Sequence, residues 1–174
     1  MFRLENMVRP NILSLQRYSS ARDEYHGTEG IFLDANENPF GMLNRYPDPH
    51  QQSVKAAIGR IKKIEVENIF IGNGSDEVID LALRIFCTPG KDKIIVCPPT
   101  YGMYEVMSHI HDTAMITVPL TRGFQLDMSG ILRATSQKEN IKMIFLCSPN
   151  NPTGNSMDEL EELISHFDGI VFLD

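Results

Sequence analysis

The chain has 174 residues, 42% of them hydrophobic and 22% charged, enough for one domain with a real core and ordinary for a soluble globular protein. A net charge of −7 speaks against nucleic acid as a partner, because phosphate binding needs clustered Lys and Arg, and the one basic cluster, Arg60 to Lys63, reads as a solvated helix end. No run approaches the roughly eighteen apolar residues of a membrane span, and the N-terminus lacks the apolar stretch of a secretion signal.

Residues 1–30 are polar and read as an arm or loop over another surface. Ile31 to Asn36 is a short extended run. Val54, Ala57, Ile58 and Ile61 fall at the spacing of one helix face. Asn68 to Gly72 reads as a strand and Ser75 to Cys87 as a helix, apolar nearly all round and so expected to be largely buried. Lys93 to Cys97 is a strand with β-branched content. The next helix candidate, from Tyr101 to Ile110, carries Met103, Val106, Met107 and Ile110 on one face. Ala114 to Val118 is a strand, and Asp127 is the expected N-cap of a short helix. Met143 to Cys147 is another apolar strand. Ser156 and Glu159 form a capping box ahead of a helix that buries Leu160, Leu163, Ile164 and Phe167. Gly169 to Leu173 closes as a strand that stops on Asp174, and the expectation is a chain that forms part of a longer one.

Strand and helix in alternation, with strands apolar almost throughout, predict an α/β fold whose mostly parallel sheet is covered on both faces. In such sheets ligands bind beyond the carboxyl ends of the strands. Asn73 to Glu77 opens a helix, where backbone N–H groups face an anion. A capped helix start with acids in its first turn explains that stretch as well. "PPTYGMY" holds Tyr101 at a helix entry, where it stacks on a flat ring or packs as a core residue. In "CSPNNPTG" two prolines stiffen a loop carrying Asn150 and Asn151, residues that also suit turns for local reasons. Asp174 ends a buried strand, and a carboxylate there needs a partner such as a protonated ring nitrogen, or serves as a helix cap. The four strand ends together suit a flat pyridinium ring bearing a hydroxyl and a phosphate.

These motifs, with "LDANENPFG" and "NRYPDP", resemble those of histidinol-phosphate aminotransferases, fold-type I enzymes that use pyridoxal 5'-phosphate, and they occur in that family's order over nearly the whole chain. The resemblance implies the N-terminal part of a three-layer large domain over residues 41–174 and, over residues 1–40, an N-terminal arm and segment belonging to a small domain. It implies that Ser75 and Asp76 hold the cofactor phosphate, Tyr101 stacks on the ring, Asn151 donates to the ring's 3-oxygen and Asp174 pairs with the ring nitrogen. Tyr46 then reaches the partner subunit's cofactor in a homodimer with shared active sites, and Tyr18 and Asn36 contact the substrate, a phosphorylated amine that exchanges its amino group with a 2-oxo acid. None of the seven lysines lies in the family's lysine motif. The Schiff-base lysine is expected beyond Asp174, leaving no catalytic residue in this stretch and a stretch that is inactive alone.

The implied reaction is transamination of L-histidinol phosphate with 2-oxoglutarate in histidine biosynthesis, in the cytoplasm. Rival readings are an aromatic amino-acid aminotransferase, a threonine-phosphate decarboxylase and, from another class, a non-catalytic α/β module binding a phosphorylated ligand. No metal is expected. His109 and His111 lack a third ligand and read as structural. Cys87, Cys97 and Cys147 have no metal-ligand spacing and read as small core residues in a reducing compartment. Asp158, Glu159, Glu161 and Glu162 read as a solvated helix face.

Overall fold

A computed structural model describes residues 3–25, 27, 29–137 and 139–174, with side chains for all of these but residues 22 and 23. The chain divides into two compact units, Leu15–Gly72 and the pairing of Met1–Ser14 with Asn73–Asp174.

The larger unit carries helices α1 (Pro10–Leu13), α4 (Gly74–Phe86), α5 (Met103–Ile110), α6 (Met128–Gln137) and α7 (Leu160–His166), and strands β1 (Lys93–Val96), β2 (Ala114–Thr117), β3 (Ile141–Leu146) and β4 (Ile170–Leu173). The smaller unit carries α2 (Ala21–Glu24) and α3 (Gln52–Lys62). The four strands form one sheet in the order β2-β1-β3-β4, every pair parallel.

Period-two alternation divides the core between the two faces of this sheet. Ile94, Val96, Met143, Phe145 and Cys147 point to one side, where Ile79, Ala82 and Leu83 of α4 and Tyr104 of α5 meet them. Ile95, Cys97, Ile144 and Leu146 point to the other side, against Ile131 of α6 and Leu163 of α7. Both faces are thus covered, giving the expected three layers. Residues 3–14 belong to this unit through the α4 end: the Arg9 N–H donates to the Ile85 carbonyl at 3.0 Å, and its guanidinium donates to the Arg84 carbonyl at 2.8 Å.

Several local expectations are corrected. Residues 31–36 and 68–72 form no strand; a strand needs a neighbouring strand for its N–H and C=O groups, and the sheet among the described residues includes neither run. The buried face of α5 is Tyr104 and Ser108, whereas Val106 and Ile110 are exposed. The capping box is not formed. Glu159 takes a left-handed conformation without a side-chain cap, because the preceding residues are already tied elsewhere. The Met157 N–H donates to Ser148 Oγ, and the Asp158 N–H donates to Gln125 Oε1. Ile164 is exposed, while Leu163 is buried. Of α4, only Ile79, Ala82 and Leu83 are fully buried, fewer than its all-round apolar sequence suggests.

Asp127 does cap α6: its Oδ1 accepts from the Gly130 N–H at 2.9 Å and from Ser129 Oγ at 2.7 Å. These donors hold its carboxyl below the usual aspartate range. Gly130 is where α6 closes on the sheet, since a Cβ there would lie 2.9 Å from Val118 Cγ1 and 2.5 Å from Asp127 Oδ2.

In the smaller unit, α3 shows the predicted period but buries no residue. Asp48 receives its first turn, with Oδ2 accepting from the Gln52 N–H and Oδ1 from the His50 N–H. Glu37 accepts from the Arg45 guanidinium at 2.5 Å and from the Tyr46 N–H at 3.0 Å, so "ANENP" and "NRYP" are joined in one local structure.

Candidate active site

Because all strands run parallel, the exits from β1, β3 and β4 share one edge of the sheet. The ladder continues past β4: the Asp174 N–H donates to the Leu146 carbonyl at 2.9 Å, and the Asp174 carbonyl accepts from the Ser148 N–H at 2.9 Å. The backbone of Asp174 is thereby fixed on both sides beside the loop that follows β3.

That loop is closed by its own residues. The Asn150 N–H donates to the Asn155 carbonyl at 2.8 Å, and the Gly154 N–H donates to the Asn150 carbonyl at 2.6 Å. Gly154 has φ +77°, a left-handed conformation that favours glycine. The Asn151 N–H points at Cys147 Sγ, 3.4 Å away, and the Asn151 side chain is exposed at the edge. Asn150 is buried. Its Nδ2 donates to Thr153 Oγ1 and to the carbonyl of Pro99, and its Oδ1 is the one buried side-chain polar atom without a partner among the described residues. The two asparagines therefore differ: Asn151 is outward, while Asn150 is a bracket that reaches to the β1 exit as well as within its own loop.

The β1 exit leads through Pro98 and Pro99 to Tyr101 and α5. Tyr101 Oη donates to Asp76 Oδ1 at 3.1 Å, bringing the first turn of α4 to the same edge. This carboxylate, with some burial, holds the Tyr101 phenol above its ordinary range. Ser75, beside Asp76, is exposed. The start of α4 is not wholly free for an anion: the Glu77 carboxylate accepts from both the backbone N–H and the Nδ2 of Asn73. An anion here is left the N–H groups of the first turn, which have no partner inside a helix, and the Ser75 hydroxyl.

Tyr104 escaped the sequence reading. It lies three residues after Tyr101, at the second position of α5, and it is 0% exposed. It meets Tyr101 edge-on at 5.7 Å and Phe145 at 5.2 Å, and its Oη donates to Asp174 Oδ2 at 2.9 Å. Burial, then the Asp174 carboxylate, push this phenol far above its ordinary range. The i, i+3 repeat of tyrosine was the available signal.

Ser75, Asp76, Tyr101, Asn151 and Asp174 thus all belong to the larger unit, and hydrogen bonds link Tyr101 with Asp76 and Tyr104 with Asp174. Tyr18, Asn36 and Tyr46 belong to the smaller unit, where all three are exposed. His111 has a structural partner: its Nε2 lies 2.6 Å from Asp80 Oδ1, and Arg84 donates to the same carboxylate. His111 first, then Arg84, hold the Asp80 carboxyl below its usual range. The three cysteines are free and buried, and burial pushes the Cys87 and Cys97 thiols up to about 12. Among the described residues no helix is long and apolar enough to cross a membrane.

The donor set at this edge is a helix start, an aromatic ring, an outward amide and a carboxylate anchored in the ladder. A histidinol-phosphate aminotransferase of Cytophaga hutchinsonii is 56% identical over 99% of this chain, and one of Parabacteroides distasonis is 48% identical over 98%. The chain spans about half the length of these curated relatives, 51% and 50% respectively. Among solved structures, the histidinol-phosphate aminotransferase of Sinorhizobium meliloti in complex with pyridoxal-5'-phosphate matches with a TM-score of 0.67 at 23% identity, covering 75% of this chain and 36% of that one, a likeness of fold. The three layers are those of the fold-type I transferases. The family described as Aminotransferase class I and II matches residues 24–174, and the chain belongs to that family.

Proposed function

We propose that the protein is a pyridoxal-phosphate-dependent aminotransferase that moves an amino group from L-histidinol phosphate to 2-oxoglutarate, giving imidazole acetol phosphate and glutamate in histidine biosynthesis. The observation that carries this reading is the gathering of Asp76, Tyr101, Asn151 and Asp174 at the carboxyl edge of one parallel sheet. Their chemistry fits the cofactor group by group. The Ser75 hydroxyl, with the backbone at Ser75 and Asp76, holds the phosphate. Tyr101 covers the ring face, Asn151 donates to the 3-oxygen, and Asp174 faces the ring nitrogen and keeps it protonated. When bound, the cofactor supplies an electron sink for the bond broken at the substrate's α-carbon. The protein's share is to seat, orient and hold that proton.

On the same reading the enzyme is a cytoplasmic homodimer. Tyr46, held by Glu37, reaches the phosphate of the partner's cofactor, while Tyr18 and Asn36 contact the substrate. Residues 1–40 serve as arm and small-domain segment, and residues 41–174 form the N-terminal part of the large domain. The names of the relatives support the substrate, and the free, buried cysteines suit a reducing compartment.

The test uses the complete protein, reconstituted with pyridoxal phosphate and given L-histidinol phosphate with 2-oxoglutarate. Glutamate should form at the rate the phosphorylated amine is consumed. Parallel arms with L-phenylalanine, L-tyrosine and O-phosphothreonine separate the aromatic aminotransferase and the decarboxylase. Glutamate from an aromatic amino acid but none from histidinol phosphate, or carbon dioxide from O-phosphothreonine, would sink the assignment.

A further inference from the structure

Asp174 is held by more than the strand it ends. Its backbone is locked into the ladder with Leu146 and Ser148. Among the described residues, the only side-chain hydrogen bond to its carboxylate comes from Tyr104. That donor cannot wander. The Tyr104 ring is fully buried and wedged between Tyr101, edge-on at 5.7 Å, and Phe145 at 5.2 Å, which itself leans on Phe172 at 4.9 Å. The aromatic stack therefore sets the position of one hydroxyl, and the hydroxyl sets the rotation of one carboxylate.

We propose that Tyr104 is a positioning residue for Asp174: its hydroxyl donates to Oδ2, fixes the rotation of the carboxylate and leaves Oδ1 turned outward for the ring nitrogen. This rests on the reading that Asp174 pairs with the ring nitrogen of the cofactor. Its consequence follows from simple chemistry. A proton shared between a ring nitrogen and a carboxylate sits on the nitrogen when the carboxylate anion is stabilised, and an O–H donor to that anion stabilises it. Tyr104 thus favours the protonated ring without touching it. Tyr101 also feels this charge, but its own hydroxyl donates to Asp76, so the task falls to the Tyr104 hydroxyl. Phenylalanine would preserve the stack and remove only the donor.

The experiment uses the complete protein loaded with pyridoxal phosphate labelled with nitrogen-15 in the ring. In the wild type the ring nitrogen should resonate at the pyridinium position. Tyr104→Phe should move it toward neutral pyridine and weaken cofactor binding about tenfold, the scale of one hydrogen bond to a charged group. Placing 3-fluorotyrosine at position 104, a stronger donor of nearly the same shape, should keep the pyridinium signal and the wild-type affinity. A role in packing alone would not separate the phenyl from the fluorophenol ring in this way. A wild-type resonance already at the neutral value overturns the proposal together with the Asp174 pairing on which it rests. A wild-type pyridinium that Tyr104→Phe leaves in place overturns the proposal alone. If the phenylalanine variant fails to fold, the comparison of tyrosine with 3-fluorotyrosine decides: a ring nitrogen less protonated with the stronger donor refutes it.

Discussion

The Nδ2 of Asn150 donates to the carbonyl of Pro99 at 2.9 Å, across 51 residues of chain, and so joins the exit of β3 to the exit of β1. Tyr101 and Asn151 stand on the two loops this bond holds together. Replacing Asn150 by Ala leaves the Pro99 carbonyl without its donor, and the loss should be about 1–3 kcal/mol. Urea denaturation of the complete protein measures it. A midpoint unchanged from the wild type would show that the two loops hold their places without this bracket.

Phe145 is fully buried between Tyr104 and Phe172, whereas Ile164 of α7 is 60% exposed. Phe145→Ala should cost about 3–5 kcal/mol, the usual penalty for emptying an aromatic site in a core. Ile164→Ala should stay within about 0.5 kcal/mol, despite a sequence period that assigns it to the core. Comparable losses for the two would refute the face described for α7.

Removing the α6 cap with Asp127→Ala should cost about 1 kcal/mol at neutral pH. The carboxyl is held below its usual range by the Gly130 N–H and the Ser129 hydroxyl. Its contribution is therefore fully present above the unfolded-state aspartate pKa and disappears as the pH falls through the lower, folded value. The stability gap between wild type and variant should narrow in acid, measured by denaturant titration at several pH values. A gap that widens as the pH falls contradicts this assignment. Gly130→Ala, although it raises helix propensity, should also destabilise, because its Cβ would meet Val118 and Asp127.

The thiols of Cys87 and Cys97 are pushed up to about 12 by burial. At pH 8 in the folded protein both should resist iodoacetamide, since the thiolate is the reactive form. Each should label promptly in denaturant. Mass mapping of the alkylated peptides provides the readout, and rapid labelling of either residue in the native state would contradict its burial.

The apolar runs of β1 and β3 are legible because they are largely buried in a sheet covered on both sides, where composition alone marks a strand; β2 and β4, partly exposed, are marked by their β-branched and apolar content. Residues 68–72 look little different in composition, yet they are not a strand, because pairing depends on a neighbour that a local run does not encode. Asp127 was legible as a cap because its donors lie within three residues. Ser156 and Glu159 carry the same kind of signal, but Gln125 and Ser148, distant in sequence, hold the segment in another shape. The site divides similarly. Tyr101, Asn151 and Asp174 are marked by their place just after strands, whereas Tyr104 is hidden inside a helix whose apolar spacing points to methionine, valine and isoleucine as its core face.

The parallel ladder also sorts the turns of the larger unit by what they tolerate. Each strand enters from the opposite edge of the sheet, through Thr88–Asp92, Asp112–Thr113, Asn140 and Asp168–Gly169, and none of these turns carries a residue assigned to cofactor or substrate. Their special residues serve geometry: Gly90 and Asn140 adopt positive φ, and Asp92 accepts from the Thr88 N–H. Changes confined to that rim should register in thermal stability before they register at the candidate site. A single inserted residue at the opposite rim would displace an aromatic ring, an amide or a carboxylate from a common focus.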